Sequence, residues 1–121
     1  MIKSRTIGLP NALVVIMDPT AGVVPRSMGN AAVASTDSCV VVGCLSEVDG
    51  ETDITLGDMD QINTGDHLLF TGEMKTPNRK IALLSSHNET LLEVPTPRQV
   101  TSVRIWANDL AEPNKVVVGF R

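Results

Sequence analysis

Apolar and polar positions alternate with a period of two along most of the chain, and turn residues break the alternation at intervals of roughly ten residues. The clearest alternation lies near the C-terminus. In 99–107, Thr101, Val103, Ile105 and Ala107 take one face, and Val100, Ser102, Arg104 and Trp106 take the other. In 115–121, Val116, Val118 and Phe120 point inward. A short strand at 91–94 precedes these and is closed by Pro95 and Pro97, neither of which donates to a ladder. Residues 67–74 place Leu68, Phe70, Gly72 and Met74 on one face, with His67, Leu69, Thr71 and Glu73 opposite; 80–85 turns Ile81 and Leu83 the same way. Segment 37–45 holds three consecutive valines, and Gly43 within it signals a bulge or a close backbone neighbour. Asp49-Gly50 reads as a hairpin turn into a return strand at 53–58, with Ile54 and Leu56 inward.

The first strand falls within 7–17, where Pro10 restricts it to an edge, a bulge or a strand start. Leu13, Val15 and Met17 point one way, Val14 and Ile16 the other. Such an unbroken apolar run fits a strand covered on both faces, or one meeting a partner. Residues 18–36 form a long connection punctuated by Pro19, Gly22, Pro25 and Gly29, in which 27–34 can form a short helix with Ser27 as its N-cap. The pattern predicts an all-β fold: an antiparallel β-sandwich of seven or eight strands, with one short helix in the 18–36 connection, and residues 1–121 as a single domain.

Composition makes the core aliphatic: one Trp, two Phe and no Tyr among 121 residues. No apolar run approaches the ~20 residues of a membrane-spanning helix, and 13–17 is too short for a signal-peptide core, so a cytoplasmic protein is expected. Cys39 and Cys44 are five apart. A shared strand puts them on opposite faces roughly 17 Å apart, too far for a disulfide, and the close spacing of zinc ligands is missing.

Charge changes the picture most. Residues 27–74 hold nine acids and no Lys or Arg, a block of −9; the remainder has ten bases and five acids, +5. The block marks a surface for a basic partner, unless the acids interleave in space with Lys75, Arg79 and Lys80. Its candidate partner-binding residues are Glu47, Asp49, Glu51, Asp53, Asp58, Asp60 and Asp66. Asp49, Glu51, Asp53 and Asp60 also echo a calcium loop, but Ile54 stands where that loop requires Gly and the last ligand is not Glu; no metal is expected. His67 follows Asp66, yet strand neighbours point to opposite faces. No framed nucleophile, HExxH or phosphate loop accompanies it, so neither catalysis nor a cofactor is expected. Asn88-Glu89-Thr90 fits the glycosylation pattern by chance. Nucleic acid is excluded by the lack of a basic stripe and of stacking aromatics. Arg104 and Trp106, two apart on one strand face, are a second candidate site, because these types dominate interface anchors. The rival reading has Trp106 plugging the sandwich end beneath the 18–36 connection.

The start Met1-Ile2-Lys3-Ser4, the helix-bearing connection after the first strand, the central hairpin and the close together resemble a known family. The close is Leu91-Leu92-Glu93-Val94-Pro95, then Val103-Arg104-Ile105-Trp106, then Val116-Val117-Val118. The family is that of small bacterial β-sandwich proteins which includes the competence nuclease inhibitor ComJ. The resemblance implies a non-enzymatic sandwich that binds another protein, of inhibitor or immunity type. Two other functions stay open: a small-molecule or carbohydrate module with a pocket near Trp106, and a homo-oligomer paired through an edge strand, either 13–17 or 116–120.

Overall fold

The computed structural model describes residues 1–29 and 31–121. Among them, ten strands form two five-stranded sheets. Sheet A runs in the order β1 (Ile2–Ile7), β5 (Thr52–Asp58), β10 (Lys115–Phe120), β9 (Val100–Ala107), β6 (His67–Lys75). Sheet B runs β3 (Val33–Ser35), β4 (Cys39–Gly43), β2 (Leu13–Met17), β7 (Lys80–Ser85), β8 (Thr90–Pro95). Neighbours are antiparallel except β5 and β10, which run parallel with Asp53 beside Lys115. This is the β-sandwich that the alternation predicts. No helix among the described residues is long and apolar enough to cross a membrane.

The inward residues pack as the pattern requires. Val14, Ile16, Val40, Val42, Ile81 and Leu83 from sheet B meet Ile54, Leu56, Val103, Ile105, Val116 and Val118 from sheet A. Sheet B is apolar on its other face as well. Val15, Met17, Cys39, Val41, Ala82 and Leu84 form a second cluster there, with Met28 from the 18–32 connection packed on it. The continuous apolar run of β2 is therefore explained by cover on both faces.

Polar anchors hold that cover down. Asp18 is fully buried; its carboxylate accepts the Asn78 N–H at 2.7 Å and its carbonyl accepts the N–H groups of Ala21 and Gly22. Ser38 Oγ accepts the Val23 N–H at 2.9 Å. The short helix expected at 27–34 does not form among the described residues, Asn30 lying outside them. Val33 and Ala34 instead extend to pair with Val42 and Val41, which satisfies their backbone groups on β4.

The remaining departures have local causes. Ten strands replace the expected seven or eight because β1 is almost wholly exposed and β3 has three residues, so neither shows a strong apolar signal. The Asp49-Gly50 turn is no hairpin: β4 and β5 lie in different sheets, and the turn carries the chain between them. A register shift between Leu68 and Phe70 puts Leu68 opposite Trp106 on the outer face, while Phe70 opposes Ile105 and packs on the core. The segments 13–17 and 116–120, expected as sheet edges, are interior strands, each with neighbours on both sides.

Both cysteines are buried and free, Cys44 in the inner cluster and Cys39 in the outer one. Burial pushes their thiols up from 9.0, Cys39 to about 11 and Cys44 to about 12. A raised acid holds its proton longer when folded, so this contribution to stability is complete below pH 9 and is lost as pH rises through 11 and 12. The expected outcome is that a thiol reagent at neutral pH labels neither cysteine until denaturant is added, and that unfolding free energy declines above pH 9; labelling of the native protein contradicts it.

A Cβ on Gly22 would sit 2.5 Å from Met17 Cβ, deep enough that the connection must lift from sheet B. Gly22→Ala is expected to lower stability by about 1–3 kcal/mol in urea unfolding. Unchanged stability contradicts the packing described.

Candidate functional site

Two loops meet at one end of the sandwich. Residues 44–51 join β4 to β5, and 108–114 join β9 to β10. The Leu45 N–H donates to the Pro113 carbonyl at 2.8 Å, and the Asp53 N–H donates to the Asn114 carbonyl at 2.9 Å. These bonds seat the loops side by side because β5 and β10 run parallel and begin at the same level. The first loop exposes Glu47, Asp49 and Glu51, and the second exposes Asp109 and Glu112. Asp66 joins them from the start of β6, since His67 lies opposite Ala107 at the end of β9. Asp66 also shares with Asn108 and Lys115 a recess of about 130 Å³. Val48 is 88% exposed and Leu110 59% exposed, one at each loop's tip.

The second loop is internally fixed. Asn108 Oδ1 accepts the N–H groups of Asn114 (3.2 Å) and Lys115 (3.1 Å), and Asn108 Nδ2 donates to Asn114 Oδ1 at 2.6 Å. Asp109 Oδ1 accepts the N–H groups of Ala111 (2.8 Å) and Glu112 (3.0 Å). Those two hydrogen bonds, with a smaller contribution from His67, hold the Asp109 carboxyl below its ordinary value. Sequence reasoning missed Asp109, Glu112, Val48 and Leu110. The only available signal was the Asn-Asp turn in 108–114, which says nothing of its neighbour in space.

The other predicted acids do not share this end as free charges. Asp53 sits nearby on the outer face of sheet A and accepts a hydrogen bond from Thr6 Oγ1. Asp58 lies five residues further along β5, about 16 Å away, and pairs with the N-terminal ammonium. Asp60 pairs with Arg121 at 2.9 Å. Asp37 pairs with Lys75 at 3.0 Å, so part of the acidic block interleaves with basic residues. Among the described residues, Glu47, Asp49, Glu51, Asp66, Asp109 and Glu112 make no ion pair. No three His, Cys, Asp or Glu side chains among the described residues group as a metal set.

Arg104 and Trp106 share the outer face of sheet A but not a cleft. The chain crosses that face between β5 and β6, because β10 and β9 stand between them in the sheet. The crossing segment, 59–66, lays Ile62 over Gly57 and Gly119 and brings Gly65 against Trp106. A Cβ on Gly119 would lie 2.6 Å from Ile62 Cδ1 and 3.1 Å from Trp106 Cζ3, so the glycine leaves space for both. Trp106 is thereby reduced to 9% exposure, under this strap rather than under the 18–36 connection. Arg104 stays exposed, in a recess of about 240 Å³ with Glu73 and Arg121.

No protein-family model and no curated protein sequence matches the chain. Two solved structures share its fold. One is the crystal structure of ComJ, inhibitor of the DNA degrading activity of NucA, from Bacillus subtilis, with a TM-score of 0.61 and 12% identity over 99% of this chain and 97% of that one. The other is crocagin biosynthetic gene J, with a TM-score of 0.59 and 7% identity over 98% and 94%. The family resemblance therefore holds at the level of the fold, although two of the features it was drawn from, the helix in the 18–36 connection and the hairpin at Asp49-Gly50, are not found among the described residues.

A Cβ on Gly65 would lie 2.9 Å from Trp106 Cβ and 3.3 Å from the Ala107 nitrogen, both rigidly held. Gly65→Ala is expected to raise the strap, shift Trp106 emission to longer wavelength and increase its quenching by acrylamide. An emission spectrum unchanged from wild type contradicts the strap's contact with Trp106.

Proposed function

We propose that this chain is a non-enzymatic binding protein of inhibitor or immunity type that holds a basic protein partner on its acidic end. The observation that carries the reading is the pairing of the 44–51 and 108–114 loops through the Leu45–Pro113 hydrogen bond. It gathers five carboxylates from two loops into one surface, which Asp66 joins from the start of β6, and among the described residues none of the six makes an ion pair. Exposed carboxylates so placed raise the encounter rate with a positive surface and select against acidic competitors. Val48 and Leu110 add apolar tips of the kind that complement charge at interface centres. The shared fold with an inhibitor of a DNA-degrading protein supports the same class of partner, since a nuclease presents a basic surface.

Of the residues first grouped as the site, Glu47, Asp49, Glu51 and Asp66 belong to this surface, with Asp53 at its margin. Asp58, Asp60, Arg104 and Trp106 lie away from it. A small-molecule pocket built on Trp106 has no geometric support, because the strap covers the indole.

The test is capture from source-cell lysate by immobilised wild type and by a Glu47→Gln, Asp49→Asn, Glu51→Gln variant, at low and high salt. A partner retained by wild type, released by salt and bound at least about tenfold more weakly by the variant is the expected outcome. A partner that binds both forms equally at either salt concentration overturns the assignment of the acidic end.

A further inference from the structure

Asp49 and Gly50 form the one Asp-Gly step in the chain, and no Asn is followed by Gly. A glycine after an aspartate leaves its own N–H open to the aspartyl carboxyl, because no Cβ stands in the way. Attack by that nitrogen closes a five-membered ring between side chain and main chain. In a folded protein the closure depends on what holds the carboxyl and the N–H.

Here both are free. Asp49 is exposed, and among the described residues its carboxylate makes no ion pair. Among the same residues the Gly50 N–H donates to no main-chain carbonyl. The hydrogen bonds that seat the loop lie on either side of this step, at Leu45 and Asp53. Inside the loop, the Asp49 N–H donates to the Ser46 carbonyl at 2.9 Å and the Val48 N–H to Ser46 Oγ at 3.4 Å, both ahead of the reacting bond. The fold also requires the glycine. Gly50 holds a φ of 151°, which a side chain disfavours, and a Cβ there would lie 3.3 Å from Leu45 Cδ2.

Other aspartates are guarded. Asp109 Oδ1 accepts two N–H groups, and a branched residue, Leu110, follows it. Asp37 pairs with Lys75 and precedes the buried Ser38. Asp18 is fully buried and precedes Pro19, which has no N–H.

We propose that Asp49 is a site of spontaneous isomerisation to isoaspartate in the folded protein. The Gly50 nitrogen bonds to Cγ of the protonated Asp49 carboxyl; the carboxyl hydroxyl and the amide proton leave together as water. A second water then opens the succinimide. Breaking the bond between nitrogen and Cγ restores aspartate. Breaking the bond between nitrogen and the main-chain carbonyl carbon leaves the chain running through Cγ, with a carboxylate on Cα. No redox change occurs, and the charge is kept. The product adds one methylene to the main chain between Leu45 and Asp53 and moves the carboxylate. The reaction needs no partner, so it stands whether or not the acidic end holds a basic protein.

The experiment incubates the purified protein at mildly acidic pH and body temperature, folded and unfolded in urea. Isoaspartate is counted by transfer of a labelled methyl group from S-adenosylmethionine with an isoaspartate-specific methyltransferase. Peptide mapping by mass spectrometry locates it, and circular dichroism confirms that the sample without urea is folded. Isoaspartate at position 49 is expected to accumulate in the folded protein within about tenfold of the unfolded rate, and faster than at any other aspartate. Asp49→Glu, for which the ring would have six members, is expected to lose most of the signal. A folded rate at position 49 more than about tenfold below the unfolded one means that the loop protects the step, and overturns the proposal. Faster labelling at another aspartate of the folded protein, or an Asp49→Glu variant that labels like wild type, overturns it as well.

Discussion

Sheet B is apolar on both faces and sheet A carries Trp106 on its outer one, and the rest of the structure depends on how these outer surfaces are covered. In sheet B, Val15, Met17, Cys39, Val41 and Leu84 point away from the inner core, and each large aliphatic among them is worth about 1.5–3 kcal/mol when buried. The 18–32 connection meets this demand, fixed by the buried Asp18 and by Ser38. In sheet A, the 59–66 strap shields Trp106 and fits over Gly57 and Gly119. The long non-strand segments, which by length alone resemble functional loops, act as outer layers of the fold.

That use of the long segments leaves the short end loops as the adaptable surface. The parallel placement of β5 beside β10 decides which of them are neighbours, since it starts both strands at one level and lets Leu45 and Asp53 bond to the other loop's carbonyls. It also divides the acidic block. Glu47, Asp49 and Glu51, in the loop before β5, stay at the end, while Asp58 is carried some 16 Å along β5 to meet the N-terminus and Asp60 beyond it pairs with Arg121. Six like charges held within a few screening lengths work against the compact state rather than for it. That cost supports a role outside the fold for the surface.

Much of this was legible in the sequence. The alternation separated the two faces of 99–107 and turned Val116, Val118 and Phe120 of 115–121 inward, as the structure has them, because strands with one strongly apolar face have their register set by burial. The unbroken run of β2 left open cover on both faces or contact with a partner, and the structure has the former. Residues 67–74 were misread at Leu68, because one extra residue in a strand reverses the facing of what precedes it and leaves composition unchanged. Asp49-Gly50 carried a hairpin signal, but the turn spans two sheets, a distinction made by distant pairing alone. The same limit explains the site. Glu47, Asp49 and Glu51 were visible as a local cluster, whereas Asp109 and Glu112 lie about sixty residues away and become part of it only through the sheet order.

The central claim is that the 44–51 and 108–114 loops form one preorganised surface. Backbone amide hydrogen exchange followed by NMR tests it most directly, at Leu45 and Asp53. Both N–H groups donate across to the other loop and should exchange as slowly as the interior amides of β5 and β10. Exchange of Leu45 and Asp53 at the rate of the exposed Glu47 and Val48 amides would show two independent loops and contradict the account.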